Sequence, residues 1–286
     1  MSGEIVVARS VVELRRQIGE WRPRGERIGL VPTMGALHAG HLALVAAAQA
    51  QCRRAVVSIF VNPKQFGPRE DFAAYPRPEA YDLTKLTVAG ADLAYIPAVD
   101  EMYPDGFTTT ISLGGPAEPL EGAHRPRHFD GVATVVAKLL TQAAPDAAFF
   151  GEKDWQQLMV VRRMARDLDL PVEIVGVPTV REPDGLALSS RNVYLSPEER
   201  RIAPTLNRVM REAAATIAQG KPAAPVLQRA IAELNAAGFR VEYLGLRDAE
   251  TLAPLAEAKS RPSRLLAAAQ LGRTRLIDNI AVTEAV

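Results

Sequence analysis

Two of the four histidines in this 286-residue chain, His38 and His41, lie three positions apart in the segment Val-Pro-Thr-Met-Gly-Ala-Leu-His-Ala-Gly-His, residues 31–41. The segment stands between a short apolar run and an Ala-rich run that favours helix. A helix amino end offers free N–H groups and a positive dipole end to an anion, and residues three apart there share a face. Gly35 and Gly40 let a ligand approach the backbone. We therefore predict a phosphate site faced by both histidines; the alternative is two histidines that only cap the helix.

A second polar segment, Gly-Glu-Lys-Asp-Trp-Gln-Gln at residues 151–157, follows the apolar run Asp-Ala-Ala-Phe-Phe and opens a helix-patterned stretch. Lys153 suits phosphate as a mobile point charge, and Asp154 suits a helix cap or a ribose hydroxyl. An ordinary polar turn is the alternative for this segment.

Two further segments carry groups that suit anionic substrates. Residues 186–192 read Leu-Ala-Leu-Ser-Ser-Arg-Asn, in which two hydroxyls and the fork of Arg191 can fold over a polyphosphate. Their position at a domain junction indicates a closing lid, with a solvated surface loop as the alternative. In residues 62–67, Asn-Pro-Lys-Gln-Phe-Gly, Gln65 has both a donor and an acceptor for a substrate with hydroxyl and carboxylate groups.

Short apolar runs alternate with longer stretches of helical spacing between about residues 27 and 177. The runs predicted as strands are residues 27–32, 56–62, 92–97, 146–150 and 172–177. This alternation predicts an α/β fold with a Rossmann-like, doubly wound parallel sheet covered on both faces. Such sheets bind ligands beyond the carboxyl ends of their strands, which is where chemistry is expected.

The pattern changes after a predicted turn at residues 183–185, Pro-Asp-Gly. Ser-Pro-Glu-Glu at 196–199 is typical of a helix start. The elements predicted from there are a helix to about Ala218, a helix over 222–237, and strands over 239–248, 264–272 and 275–282. We predict a larger, nucleotide-binding domain over residues 1–182 and a smaller α+β lid domain over 183–286.

Composition narrows the class of protein. A net charge of +1 argues against a broad basic surface for nucleic acid, so any anion site must be local. Cys52 is the only cysteine, which fits a reducing compartment. The amino-terminal stretch has no signal-peptide pattern, and no apolar run approaches the roughly 20 residues of a membrane span. We therefore expect a cytoplasmic protein without a membrane segment.

The segments PTMGALHAGH, FVNPKQF, FFGEKDWQQL and VPTVREPDGLALSSRN together resemble the pantothenate synthetase family in kind, order and spacing. The H-x-G-H pattern is similar to the signature of the nucleotidylyltransferase superfamily, and YPDG at 103–106 extends a resemblance that covers essentially the whole chain. Agreement at four separated sites is far more specific than one motif. The resemblance implies ATP-dependent joining of pantoate to β-alanine through a pantoyl-adenylate, with release of AMP and pyrophosphate. It also implies Mg²⁺ with the ATP and a homodimer.

The resemblance assigns roles to particular residues. His41, His38, Lys153 and Arg191 are implied to be catalytic, as cationic groups that offset the charge growing on the phosphates. Gln65 and Gln157 are implied to hold pantoate, with Gln65 also next to the β-alanine site. The implied ATP-binding positions are Met34, Gly35, Ala36, Leu37, His38, Ala39, Gly40, His41, Gly151, Glu152, Lys153, Asp154, Val180, Leu188, Ser189, Ser190 and Arg191.

Two positions are left open by the resemblance. Asp82 lies at a helix start where an acidic residue can bind Mg²⁺, but Tyr81 replaces an acid that some members carry. His128 lies in a stretch that resembles a flexible region near the family's active site, where substrate contact and a surface position are both open.

Two other functions share the same phosphate site. A nucleotidylyltransferase would keep the nucleotide in its product and need no amine, whereas a ligase releases AMP only when the amine is present. A non-catalytic nucleotide-binding protein would bind ATP without turnover. The two amide side chains Gln65 and Gln157 favour the ligase over the transferase.

Overall fold

The computed structural model describes residues 4–67, 72–258 and 261–282. The chain forms two compact units. The first contains the described residues up to Glu152 together with Gln156–Pro178, and the second contains Lys153–Trp155 together with the described residues from Thr179 onward. The functional division at 182/183 stays a prediction.

The first unit is built on a parallel sheet of six strands in the order β1-β4-β3-β2-β5-β6. The strands are β1 (Val6–Ala8), β2 (Ile28–Thr33), β3 (Arg54–Ile59), β4 (Leu93–Tyr95), β5 (Ala147–Gly151) and β6 (Glu173–Val177). The central strands β2, β3 and β5 are almost entirely buried because helices cover both faces of a parallel sheet. The five strands predicted from the apolar runs are confirmed.

Helices connect these strands. They are α1 (Val11–Trp21), α2 (Ala39–Gln51), α3 (Glu79–Ala89), α4 (Val99–Met102), α5 (Glu121–His124), α6 (His128–Ala143) and α7 (Trp155–Asp167). Neither β1 nor α1 was predicted from the sequence. A signal for α1 was present, because Ser10 and Glu13 form a reciprocal capping box at its start.

The strand order creates a crevice at the carboxyl ends of the strands. From β2 the chain moves outward through β3 to β4, and it later returns to add β5 on the other side of β2. This reversal is a topological switch point, and ligands of such sheets bind at the carboxyl ends of the strands beside it. The segment after β2 carries His38 and His41, and the segment after β5 begins at Gly151 and Glu152.

The second unit pairs an antiparallel sheet with helices. Its elements are α8 (Pro197–Ile202), α9 (Thr205–Ala218), α10 (Ala223–Ala236), β7 (Phe239–Asp248), β8 (Ser263–Leu271) and β9 (Thr274–Val282). The strands lie in the order β7-β8-β9. Leu244, Leu265 and Leu276, one from each strand, belong to the apolar core that the sheet forms with α9 and α10. The predicted α+β unit is confirmed.

One helix prediction in the second unit is wrong. The single helix expected from residue 197 to about Ala218 is two helices, α8 and α9, with Ala203 and Pro204 between them. Pro204 has no N–H to donate to the carbonyl four residues earlier, so the helical hydrogen-bond ladder is interrupted there. The predicted capping of α8 by Ser196 is confirmed.

Across the described residues, none of the helices combines the length and apolar character that crossing a bilayer requires.

Candidate active site

The two histidines close a reciprocal cap at the amino end of α2. Nδ1 of His38 accepts the N–H of Gly40 at 3.1 Å, and Nδ1 of His41 accepts the N–H of His38 at 3.3 Å. The imidazole centroids lie 4.1 Å apart with a tilt of 32°. Both rings therefore share one face of the helix start, as the three-residue spacing predicts. The same hydrogen bonds that cap α2 therefore also orient the two rings toward that face.

These bonds fix the tautomer of each ring. An Nδ1 atom that accepts a backbone N–H must carry a lone pair, so the hydrogen of the neutral imidazole lies on Nε2. Protonating Nδ1 would put two hydrogens against each other and break the cap. In this tautomer the Nε2–H group of each ring is a hydrogen-bond donor.

The loop between β2 and α2 is held by a carboxylate from α3. Asp82 is 1% exposed, and its Oδ2 and Oδ1 accept the N–H groups of Ala36 and Leu37, each at 2.8 Å. A carboxylate that accepts two backbone N–H groups is a strong, charge-assisted brace. Asp82 thus acts on the backbone of the predicted ATP loop.

The brace matters because the loop has an unusual backbone. Gly35 has φ +82° and Ala36 has φ +51°, the left-handed region that costs a non-glycine residue about 1–2 kcal/mol. A Cβ at Gly35 would lie 3.1 Å from Oδ2 of Asp82, so glycine also permits the close approach. Lys85, one turn further along α3, donates to the carbonyl of Leu37. The segment 35–37 is therefore held at both its N–H and C=O groups.

Gln65 lies beside this loop. Its Nε2 donates to Sδ of Met34 at 3.2 Å, and its Oε1 accepts from Nδ2 of Asn62 at 3.0 Å. Asn62 is 1% exposed and also accepts the hydroxyl of Tyr103 at 2.8 Å. Burial raises the pKa of Tyr103, which keeps that hydroxyl protonated as a donor. The structure thus brings the predicted pantoate ligand next to the predicted ATP loop.

His128 has a structural position in the first unit. Its Nδ1 lies 2.8 Å from the carbonyl oxygen of Gln65, and its Nε2 lies 3.1 Å from Nη1 of Arg125. A carbonyl only accepts and a guanidinium only donates, so the ring carries its hydrogen on Nδ1. His128 therefore links α6 to the turn that carries Gln65. Gly131 allows this packing, since a Cβ there would lie 2.2 Å from the carbonyl oxygen of Lys64.

Two adjacent glutamines on α7 have different surroundings. Gln156 is 3% exposed and its amide binds the backbone of Pro116, Pro119 and Glu121. Gln157 is half-buried, and its amide makes no hydrogen bond within the part of the chain that the structure describes. Gln156 thus fastens a neighbouring turn, while Gln157 keeps its donor and acceptor for other groups.

In the second unit, the segment Lys153–Trp155 is held against the three-stranded sheet. The carbonyl of Lys153 accepts Nδ2 of Asn279 at 2.9 Å, and Nε1 of Trp155 donates to the carbonyl of Ala249 at 2.8 Å. The guanidinium of Arg264 lies 3.5 Å from the centroid of the Trp155 ring. The predicted phosphate ligand Lys153 is therefore carried by the second unit.

The remaining predicted ATP residues follow a hairpin in the same unit. The turn predicted at 183–185 is confirmed, with Gly185 at φ +92°, and the N–H of Leu188 donates to the carbonyl of Val180 at 3.0 Å. Ser189 then caps a short 3-10 helix, Ser190–Tyr194, by accepting the N–H of Arg191 at 3.2 Å. Hydrogen bonds of the hairpin hold Val180 beside Leu188, and those of the cap hold the Ser-Ser-Arg segment that follows.

A buried ion pair anchors this hairpin to the sheet of the second unit. Arg181 binds Asp278 through two bonds of 2.7 Å, and the carboxylate also accepts Nδ2 of Asn207 at 3.0 Å. The Asp278 side chain is 3% exposed, so removal of either partner would leave a buried charge. At the turn itself, the guanidinium of Arg200 lowers the pKa of Asp184.

A Rossmann-like sheet with paired imidazoles at a helix amino end beside its switch point defines a nucleotide-dependent α/β enzyme. Comparison with known proteins refines this class. The family model described as pantoate-beta-alanine ligase matches residues 6–281 of this chain. The chain belongs to the pantoate–β-alanine ligase family.

Relatives and solved structures agree with this membership. A pantothenate synthetase from Paramagnetospirillum magneticum is 57% identical over 283 residues, which cover 99% of each chain. The crystal structure of pantothenate synthetase from Thermus thermophilus matches with a TM-score of 0.92 at 50% identity, covering 98% of this chain and 100% of that one. The pantoate-beta-alanine ligase of Francisella tularensis, solved with beta-gamma ATP and β-alanine, matches with a TM-score of 0.82 at 32% identity and 97% coverage of both chains. The resemblance and the ligase activity predicted from the sequence are confirmed.

Proposed function

We propose that this chain condenses (R)-pantoate with β-alanine using ATP, giving pantothenate, AMP and pyrophosphate through a pantoyl-adenylate. Membership of the family supports the overall reaction. The observation that carries the chemistry is the capped pair of His38 and His41, whose tautomers offer two hydrogen-bond donors at a helix amino end beside the switch point.

In the first step, a carboxylate oxygen of pantoate attacks the α-phosphorus of ATP in line. The bond from that phosphorus to the bridging oxygen breaks, and pyrophosphate leaves with the electron pair. His38 and His41 donate through Nε2 to phosphate oxygens as charge develops on them. The two histidines are proposed to act as hydrogen-bond donors through Nε2, because their Nδ1 atoms accept backbone N–H groups.

In the second step, the free amine of β-alanine attacks the acyl carbon of the adenylate. The carbon–nitrogen bond forms, the acyl carbon–oxygen bond breaks, and AMP leaves with that oxygen while the amine loses a proton. No covalent enzyme intermediate is required, so positioning and preorganised donors account for catalysis. Gln65 and Gln157 are proposed to hold pantoate, since an amide can bind both hydroxyl and carboxylate groups.

The other ATP ligands are proposed from sequence resemblance and local geometry. Lys153 and Arg191 supply positive charge to the phosphates, and Ser189 and Ser190 supply hydroxyl donors. The remaining proposed ATP-binding positions are Met34, Gly35, Ala36, Leu37, Ala39, Gly40, Gly151, Glu152, Asp154, Val180 and Leu188.

Mg²⁺ is proposed to accompany ATP, held mainly by phosphate oxygens and water. A metal role for Asp82, left open by the resemblance, stays a prediction, because each of its buried oxygens accepts one backbone N–H group and keeps a further lone pair. No group of three His, Cys, Asp or Glu side chains suited to a metal occurs among residues 4–67, 72–258 and 261–282. Mg²⁺ commonly keeps several waters when it binds nucleotides, so a protein cage is not required.

We also propose a cytoplasmic homodimer. The dimer rests on the resemblance to the family, and the reducing compartment on the single cysteine, Cys52, which is buried. Light scattering on the purified protein would support the dimer with the mass of two chains and contradict it with the mass of one.

Omitting one substrate at a time tests the proposed reaction. We expect AMP to be released at a sustained rate only when ATP, pantoate and β-alanine are all present. A nucleotidylyltransferase would form an adenylylated product without the amine. A non-catalytic binder would release no AMP in any combination, and sustained AMP release without β-alanine would contradict the ligase proposal.

The paired glutamines of α7 give a specific prediction. Gln157→Ala is expected to raise the KM for pantoate about tenfold or more without changing the thermal midpoint, because it removes a substrate bond worth about 1.5 kcal/mol or more. Gln156→Ala is expected to lower the thermal midpoint instead, because buried backbone groups around Pro119 lose their partner. Steady-state kinetics and thermal unfolding measure the two effects, and a reversed pattern would contradict the assignment.

A further inference from the structure

The segment Lys153–Trp155 is held by side chains of the second unit that no proposed substrate contact explains. Asn279 on β9 is 4% exposed and donates from Nδ2 to the carbonyl of Lys153 at 2.9 Å. Its Oδ1 accepts Nη1 of Arg264, which lies on β8. The donor and the acceptor of one buried amide are thus both used, which fixes the orientation of the side chain.

Arg264 holds the other end of the segment. Its guanidinium carbon lies 3.5 Å from the centroid of the Trp155 ring, which is a stacking distance. One planar cation therefore binds the amide of Asn279 and covers the indole of Trp155. A lysine at this position would keep the charge but lose the planar surface and the fork.

The sheet register explains why these two side chains meet. Arg264 pairs with Ala281 and Leu266 pairs with Asn279, so Arg264 and Asn279 are diagonal neighbours on one face. Residues of the opposite face, such as Leu265, belong to the apolar core with α9 and α10. The face that carries Arg264 and Asn279 therefore presents polar groups to the segment Lys153–Trp155.

We infer that Asn279 and Arg264 are positioning residues for Lys153. They fix the backbone of Lys153 on one side and the ring of Trp155 on the other, so the ammonium is presented from a restrained segment. This inference rests on the proposed function, in which Lys153 binds a phosphate of ATP. A restrained cation matters because a catalytic group displaced by about 1 Å can lose about a hundredfold in rate.

The test is pantoate-dependent exchange of labelled pyrophosphate into ATP, which isolates the first half-reaction. We expect Asn279→Ala and Arg264→Lys each to reduce the exchange rate about tenfold to a hundredfold. Arg264→Lys preserves the charge and serves as the milder variant if Asn279→Ala unfolds. Thr274→Ala is the matched control, because Thr274 is also buried on β9 but lies at the start of the strand, where it pairs with Leu271. The control is expected to lose stability while keeping its exchange rate.

A double-mutant cycle separates positioning from general loss of stability. If Asn279 acts through Lys153, adding Asn279→Ala to Lys153→Ala should change the exchange rate little, because the positioned group is already gone. Independent, multiplicative losses would overturn the inference, as would normal exchange in both Asn279→Ala and Arg264→Lys. Normal exchange in Lys153→Ala alone would instead refute the proposed role of Lys153, and with it the reason for positioning it.

Discussion

His41→Asn is expected to reduce pantoate-dependent pyrophosphate exchange by about 10²–10³-fold, the usual cost of removing one donor to developing charge. The side-chain oxygen of Asn can replace Nδ1 of His41 and accept the N–H of His38, so the helix cap is kept. The substitution lacks a donor at the position of Nε2. Loss of exchange with a nearly unchanged thermal midpoint is the expected pair of results.

His41→Gln is the matched variant. Its amide nitrogen can reach the position of Nε2 and donate there, so we expect it to retain more exchange activity than His41→Asn. If His41 only caps α2, His41→Asn would instead keep full activity. That result would contradict the phosphate role and leave the capping interpretation.

Asp82→Asn has the second large expected effect. The amide can accept only one of the two N–H groups of Ala36 and Leu37, and its NH₂ group opposes the other. One unsatisfied N–H costs about 1–3 kcal/mol of stability, and release of the left-handed Ala36 displaces the loop. We expect a lower thermal midpoint together with a KM for ATP raised about tenfold or more, as measured by unfolding and steady-state kinetics.

Asp92→Asn is the control for Asp82. Asp92 also accepts a backbone N–H, that of Ala55 at 2.8 Å, and it binds Arg54 at 2.7 Å, but it lies just before β4 and contacts the amino end of β3. It should lose stability and keep its KM for ATP. Equal effects of both substitutions on the KM would show that Asp82 acts through general stability.

The sequence predicted the parts of the molecule that depend on local pattern. Apolar runs and helical spacing were sufficient for five of the six parallel strands, and the turn at 183–185 followed from Pro, Asp and Gly in succession. The three-residue spacing of His38 and His41 predicted their shared face. Strand β1 was not predicted, although it has the same length as β4, which was predicted; unlike the buried β4, it lies at the edge of the sheet with Val6 exposed.

The contacts that brace the site could not be predicted in this way. Asp82 lies 45 residues beyond Leu37 in the sequence, and only the packing of α3 against the loop brings its carboxylate to the two N–H groups. From the sequence alone, Asp82 was considered only as a metal ligand at a helix start, and its contact with the loop was not predicted. Asn279 lies 126 residues beyond Lys153, and the sheet register that aligns it with Arg264 is equally long-range.

The most direct measurement of the central claim uses pantoate labelled with ¹⁸O in its carboxylate. Attack of that oxygen on the α-phosphorus, followed by cleavage of the acyl carbon–oxygen bond, must transfer one labelled oxygen to AMP. Mass spectrometry of the products should therefore find AMP heavier by one ¹⁸O for each pantothenate formed. Unlabelled AMP, or label recovered in inorganic phosphate, would contradict an acyl-adenylate formed by this chain.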